Sequence, residues 1–440
     1  MQNFPRAETR RFYTLARIAA PVGSCAILRA MKRTATIAIV AALAGCADAD
    51  WNGSVEDLLE SQPERFATVM DDPERHRVQI IYTQIDRDAN NRPSFRSFTY
   101  RVAAEYFYPA STVKLPTAAL ALEKIHRLDI PGLDRDSVFL VDADKDFQTE
   151  AHLDPTSPTG LPSVAHYVRK LLVVSDDDAF NRLYEFLGQG PLNAAMHAKG
   201  YTGTRIIHRL ESPLTTEQHR WTNPVRFLHA GSVVYQQGGA YNEESLVAAE
   251  PVLLGEAEIV DGERLARPKD FAEKNAYPLQ DLHDTLRAIL FPGSMPPERR
   301  FDLSDDDYRF LWRYMSEYPA ESGIAAYADG SHYPDGYVKF LLYGGREPVI
   351  PETMRIFNKV GDAYGFLTDA AYVVDFDNAV EFMLAATVYT NANATFNDNE
   401  YEYDDIGFPF LANLGQAFYE VELARERTAV PDLSRFRNLR

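Results

Sequence analysis

The chain has 440 residues, 45% of them apolar, and a formal charge of −19, enough for one large or two ordinary domains around a sizeable core. That charge argues against a nucleic-acid partner, whose phosphates an acidic surface repels, and suits a protein that handles small molecules. Only Cys25 and Cys46 occur, both ahead of the part that reads as folded, so no disulfide framework or cysteine-ligated metal can be built.

Residues 1–30 carry Arg6, Arg10, Arg11 and Arg17 without a pattern and are expected not to belong to the natural protein, which would start at Met31. Met31-Lys32-Arg33 is a basic region, Ala35 to Leu43 a short apolar run, and Leu43-Ala44-Gly45-Cys46 a small-residue ending. In that order they read as an export signal over 31–46, too short to span a membrane permanently. The ending resembles a bacterial lipobox, in which Cys46 would be lipidated and become the first mature residue. The other reading is an apolar tail with a chance cysteine. The expected location is the periplasmic side of a bacterial envelope, anchored by lipid, or outside the cell if the lipobox is not used.

After a tether at 47–53, a helix is expected from Val55 to Val69, stopped by Asp71-Asp72-Pro73. Val78 to Ile85 and Ser94 to Val102 read as a hairpin. The next helix begins at Tyr108-Pro109-Ala110-Ser111-Thr112-Val113-Lys114-Leu115, with Pro116 expected to bend or weaken it. Residues 129–162 read as loop. Ser163 to Val174 and Asp178 to Leu187 are amphipathic helices meeting at Ser175-Asp176-Asp177, and Pro191 to Lys199 is a shorter one. The texture changes at 222–278, where Asp261-Gly262 marks a hairpin turn. Helical periodicity returns at Leu279 and Ser304; Val338 to Leu342, Arg355 to Lys359, Gly365 to Phe376 and Val380 to Thr390 read as strands. A helix from Pro409 precedes a polar tail at 427–440. The pattern predicts an α/β layered domain over 54–426, its helical block inserted between its strands.

Ser111 and Lys114 are three apart, hence on one face of a helix start, where a desolvated amine can take a serine proton. Taken alone, they equally read as a cap and a solvent-facing lysine. Ser175-Asp176-Asp177-Asp178-Ala179-Phe180-Asn181, Thr204-Arg205 with Arg209-Leu210-Glu211, and Lys359-Val360-Gly361 followed by Tyr364-Gly365 and Thr368 come after it in order. Each has its own plain reading: Ser175 as an N-cap, Glu211 as a solvated acid, Lys359 as a strand lysine. Together these stretches resemble the S-x-x-K, S-D-N, glutamate-loop and K-T-G elements of the serine β-lactamase and penicillin-binding protein superfamily, and its class A-type domain most closely. The resemblance spans about 54–426, with 222–278 as an insertion. It implies a mainly antiparallel sheet flanked by helices, with an inserted all-helical subdomain.

The resemblance also implies roles. Ser111 would attack a β-lactam or related carbonyl, and Lys114, or Glu211 through water, would take its proton. The N–H groups of Ser111 and Asp362 would form the oxyanion hole; Ser175 would pass a proton to the leaving nitrogen, and Lys359 would attract a substrate carboxylate. Glu211 would activate the deacylating water. Three residues depart from the pattern: Asp177 stands for an amide donor, Val360 for the hydroxyl residue, and Thr215 for a water-holding asparagine. They fall on substrate reading, with Asp177, Val360, Gly361 and Asp362 lining the substrate. The implied partner is a β-lactam or peptidoglycan-like small molecule, met by a monomer, with no cofactor and no metal. Rival readings are a penicillin-binding-protein-like peptidase or esterase, and a non-catalytic envelope lipoprotein. His126 and His166 are expected to be structural.

Overall fold

Ser54 opens the first helix by a capping box with Asp57. The computed structural model describes residues 53–347, 349–437 and 439; the export signal, Cys46 and the tether up to 52 lie outside the described residues. In place of one early helix there are two, α1 (Val55–Glu60) and α2 (Pro63–Met70). Pro63 divides them because it lacks a donor and fits only the first helical position.

β1 (Gln79–Arg87) and β2 (Pro93–Tyr100) form the expected hairpin. Helix α3 (Lys114–Leu128) follows. Pro116 is its third residue, where its nitrogen would have no intrahelical acceptor, so the expected weakening does not arise. The loop expected at 129–162 contains one strand, β3 (Val138–Val141). Then come α4 (Val164–Val173), α5 (Asp177–Leu187) and α6 (Gln189–Ala198).

The 222–278 segment is a β-rich layer. Its β4 (Val225–His229) pairs with β3 and with β5 (Ser232–Gln237). Further on, β6 (Ala257–Val260) and β7 (Glu263–Leu265) form the predicted hairpin. Asp261 and Gly262 at its tip have φ of 50° and 83°, the left-handed pair that a two-residue turn requires. Helices α7 (Leu279–Leu290) and α8 (Asp305–Ser316) complete the helical block. Strands β8 (Met354–Ala363), β9 (Phe366–Asp375) and β10 (Val380–Tyr389) precede α9 (Phe408–Ala424).

The main sheet runs β8-β9-β10-β1-β2, antiparallel throughout. Helices cover both faces, so β9 is buried at every position. Side chains alternate between two cores. Phe357, Ala370, Tyr372 and Met383 face the helical block, whereas Ile356, Val360, Ala371 and Phe382 face α1, α2 and α9. That period of two puts Lys359 and Gly361 on the helical-block side of β8 and Val360 on the other.

Two expectations fail for identifiable reasons. Val338 to Leu342 is not a strand: the Phe340 and Leu341 N–H groups donate to the buried Asp369 carboxylate at 3.1 and 3.0 Å, which takes them from any ladder. The described residues of the expected tail, 427–437 and 439, are packed: Leu433 and Phe436 are buried, Phe436 packs on Phe357 and Tyr372, and Arg435 donates to the Leu290 carbonyl at 2.7 Å.

Across the sheet, Arg87 makes a two-pronged pair with Glu381 at 2.6 and 2.7 Å, and the Tyr372 hydroxyl donates to the same carboxylate at 2.7 Å. All three residues are buried. Glu381→Ala should cost about 3–5 kcal/mol by stranding Arg87, read as a lower midpoint in urea unfolding. A cost below about 1 kcal/mol would mean that water reaches the guanidinium.

Candidate active site

Four elements bring the site together. Ser111 lies in the 3₁₀ turn Ala110–Val113 ahead of α3. Ala110 has φ 45°, a left-handed conformation costly for a side-chain-bearing residue and common beside reactive groups. Lys114, in the first turn of α3, is fully buried. Its Nζ lies 2.7 Å from Ser111 Oγ, 2.5 Å from the Ser175 carbonyl, 2.7 Å from Asp177 Oδ1 and 3.2 Å from Ser175 Oγ. A neutral amine has two protons and one lone pair. Here the protons have acceptors in the Ser175 carbonyl and Asp177, leaving the lone pair for the Ser111 hydroxyl.

Ser175 does not cap α5. Asp176 does, its carboxylate accepting the Ala179 N–H at 2.8 Å. Ser175 stands before it with φ 60°, and its hydroxyl accepts from Lys359 Nζ at 2.8 Å. Lys359 comes from the edge strand and is 1% exposed. Burial lowers the Lys114 pKa, opposed by Asp177. Burial, and then the Lys114 charge beside it, holds Lys359 well below the ordinary lysine range. Both shifts run toward the neutral amine, the form in which a lysine acts as a base, more strongly at Lys359 than at Lys114, where Asp177 opposes it.

Gly361 is the point of closest approach. A Cβ there would stand 2.5 Å from the Pro109 carbonyl and 2.9 Å from Ser111 N, so glycine alone lets β8 lie against the nucleophile turn. The approach sets β8 against the Ser111 and Thr112 N–H groups, which lie 2.9 and 3.0 Å from where that Cβ would stand. Val360 is the exception among the expected site residues. Its side chain is buried on the opposite face of the sheet, so it meets the site only through its carbonyl, which accepts from Lys359 at 3.0 Å.

Glu211 is exposed, at φ 45°, and makes no hydrogen bond among the described residues. Its loop is nonetheless firmly held. Asn181 exchanges two bonds of 2.9 Å with the Leu210 backbone, and Asn193 two of 2.8 Å with Ile206. Gln189 donates to the Ile207 carbonyl at 2.7 Å. Arg209 is anchored by buried Glu185 at 2.5 Å. Thr215, expected near a water, instead caps the short helix Thr216–His219.

Sequence reasoning missed the contribution of the inserted layer. Buried Asn275 accepts the N–H groups of Ile207 and His208 at 2.8 and 3.1 Å, holding the Glu211 loop from behind. Phe271 packs on Tyr108 and Tyr364, which flank the nucleophile turn and the end of β8. No motif marks either residue; the only signal was the extra length. His126 and His166 bond the Asp302 carbonyl at 2.9 Å and the Thr156 hydroxyl at 2.8 Å, as structural histidines do.

A model of the β-lactamase enzyme family matches residues 64–407. No curated protein matches the chain. Among solved structures, a β-lactamase from Burkholderia vietnamiensis is 17% identical, covering 84% of this chain and 97% of its own, with a TM-score of 0.46. One from Xanthomonas campestris pv. campestris is 16% identical over 83% and 98%, also at 0.46. One from Sphaerobacter thermophilus is 12% identical over 83% and 97%, at 0.45.

Since the Asp177 carboxylate raises the Lys114 pKa against burial, Asp177→Asn should lower it. The acid limb of Ser111 labelling by a serine-directed fluorophosphonate should then move to lower pH. A shift to higher pH, or none, would mean that Lys114 does not govern Ser111.

Proposed function

Because the chain belongs to the β-lactamase enzyme family, we propose that it is a serine hydrolase of β-lactamase type, working through a covalent acyl-enzyme at Ser111. The supporting observation is the unbroken chain Ser111–Lys114–Ser175–Lys359, with contacts of 2.7, 3.2 and 2.8 Å. Neutral Lys114 takes the Ser111 proton as Oγ attacks the substrate carbonyl. The Ser111 and Asp362 N–H groups hold the resulting oxyanion. When the carbon–nitrogen bond breaks, the proton passes from Lys114 through Ser175 to the leaving nitrogen. Glu211 then takes a proton from water as the water oxygen attacks the ester carbonyl, and that proton returns to Ser111 Oγ as the acyl–oxygen bond breaks.

β-Lactams and related amides or esters are the substrate class. Within it, the charges disfavour an anionic substrate. Both lysines are spent on internal partners, while Asp177 has a side chain 37% exposed and paired only with Lys114, and Asp362 and Glu211 are exposed. The second reading is a penicillin-binding-protein-like peptidase or esterase; Asp177, a carboxylate paired with Lys114 at 2.7 Å where the family has an amide donor, favours it, and slow deacylation separates the two. With Cys46 lipidated, the enzyme would be tethered on the periplasmic side of a bacterial envelope.

Nitrocefin and a fluorescent penicillin decide between these readings. Hydrolysis that falls at least about 10³-fold in Ser111→Ala, with an acyl-enzyme accumulating in Glu211→Gln, is the expected result. Labelling of Ser111 without turnover selects the peptidase reading. Undiminished hydrolysis by Ser111→Ala would sink both.

A further inference from the structure

Beyond the catalytic groups, the inserted layer closes a second cavity. The strand pair β4–β5 and the bridge from Thr222 to Ala240 lie over the C-terminal half of α3 and the α5–α6 junction. Through Thr222, Gln237, Ala240 and Tyr241 they form one wall of a half-open pocket of about 520 Å³, inside the range of small-ligand sites. Its walls are mainly apolar, including Leu120, Leu187, Leu192, Ala240 and Tyr241. None of the residues assigned to catalysis lines it. Lys124 does, and it lies ten residues along α3 from Lys114, about 15 Å away at the helical rise.

Lys124 is the unusual group here. Its Nζ donates to the Phe186 carbonyl at 2.5 Å and to Gln237 Oε1 at 2.6 Å, above the Phe186 ring at 4.2 Å. Both acceptors are neutral, and an ammonium has three protons to give. No carboxylate pairs with Lys124 among the described residues. The adjacent Glu123 is committed to Lys199 at 2.8 Å and Arg127 at 2.7 Å. Burial lowers Lys124 to about 8 with no charge offsetting it. The Phe186 carbonyl ends α5, so Lys124 partly serves as a C-terminal cap. Capping accounts for one bond; it does not account for an apolar cavity beside an uncompensated cation.

We propose that this pocket binds a small amphipathic carboxylate, the head group on Lys124 and the apolar body along Leu120, Leu187 and Leu192. A carboxylate would supply the missing counter-charge and third acceptor in a partly desolvated place, where such a pair is strong. The walls would take the hydrocarbon at about 25 cal/mol per Å² buried. Arg220 and Arg127 also line the pocket, but Arg220 is bonded to Glu217 and to the Asn242 and Glu243 carbonyls and Arg127 is paired with Glu123 and Asp302, which leaves Lys124 as the head-group contact. The inference does not depend on the catalytic reading, since no residue is shared.

Isothermal titration with decanoate, below its micelle concentration, tests it. One saturable site is expected in the wild type and unchanged in Ser111→Ala. Lys124→Met should weaken binding at least about ten-fold, while the uncharged decanol should bind both proteins alike. Ala240→Trp, which fills the mouth without touching Lys124, should abolish the site, and it decides the matter if Lys124→Met does not fold. No saturable binding to the wild type, equal affinity in Lys124→Met or in folded Ala240→Trp, or loss in Ser111→Ala would overturn the proposal.

Discussion

Two buried lysines share one serine hydroxyl, and the rest of the architecture answers to that constraint. A buried ammonium is costly unless paired and fully bonded. Lys114 and Lys359 each approach the Ser175 hydroxyl, at 3.2 and 2.8 Å, so their charges repel. Among the described residues, only Asp177 is ion-paired with either of them. The arrangement is least costly with one amine neutral, a state that burial favours at both lysines and Asp177 opposes at Lys114; chemistry at Ser111 needs it at Lys114. Reaching it requires the start of α3, the start of α5 and the edge strand to meet within hydrogen-bonding distance. Each has a local device for doing so: left-handed backbone at Ala110 and at Ser175, and Gly361 where a Cβ would strike the nucleophile turn.

The loop that carries Glu211 shows a different solution. It belongs to no long ladder, yet residues 206–210 are bonded by the amide side chains of Asn181, Asn193, Gln189 and Asn275. Side-chain amides offer a donor and an acceptor together, so one residue can satisfy both backbone groups of a loop residue. The loop thus keeps an irregular path without stranding buried polar groups. The inserted layer joins this scheme through Asn275 and through Phe271 behind Tyr108, which makes it part of the site's frame.

What the sequence made legible was local chemistry on regular elements. Ser111 and Lys114 were found by their three-residue spacing, Ser175 and Lys359 by the resemblance of their stretches to the family's motifs, and the fold brings all four together because these stretches fall on helix starts and an edge strand. Face was harder to read. Lys359-Val360-Gly361 looks like three consecutive site residues, but strand alternation turns Val360 to the opposite core. Long-range partners were invisible. Val338 to Leu342 has a strand's composition, and only Asp369, 29 residues from Phe340, shows why its N–H groups are taken. Likewise the polar end of the chain hides Leu433 and Phe436, both buried, the latter against Phe357 of β8 and Tyr372 of β9.

The far side of the edge strand explains how a strand at the rim of a sheet holds its position so tightly. Directly behind Lys359 and Val360, buried Lys339 donates to the Met315 and Ile356 carbonyls and to Asn358, at 2.8, 2.9 and 2.7 Å. Asn358 in turn donates to Asp369 at 2.8 Å. Burial pushes Lys339 down and Asp369 up, each opposed by the charge of the other. The strand is therefore gripped by a polar network on one face and presents its lysine on the other. An apolar backing would bury as much area but would leave β8 free to slide by a residue pair; directional bonds to the Ile356 carbonyl and the Asn358 amide fix its register. The register of β8 sets where Lys359, Gly361 and the Asp362 N–H fall, so the geometry at Ser111 is held from behind the sheet as much as from within the site.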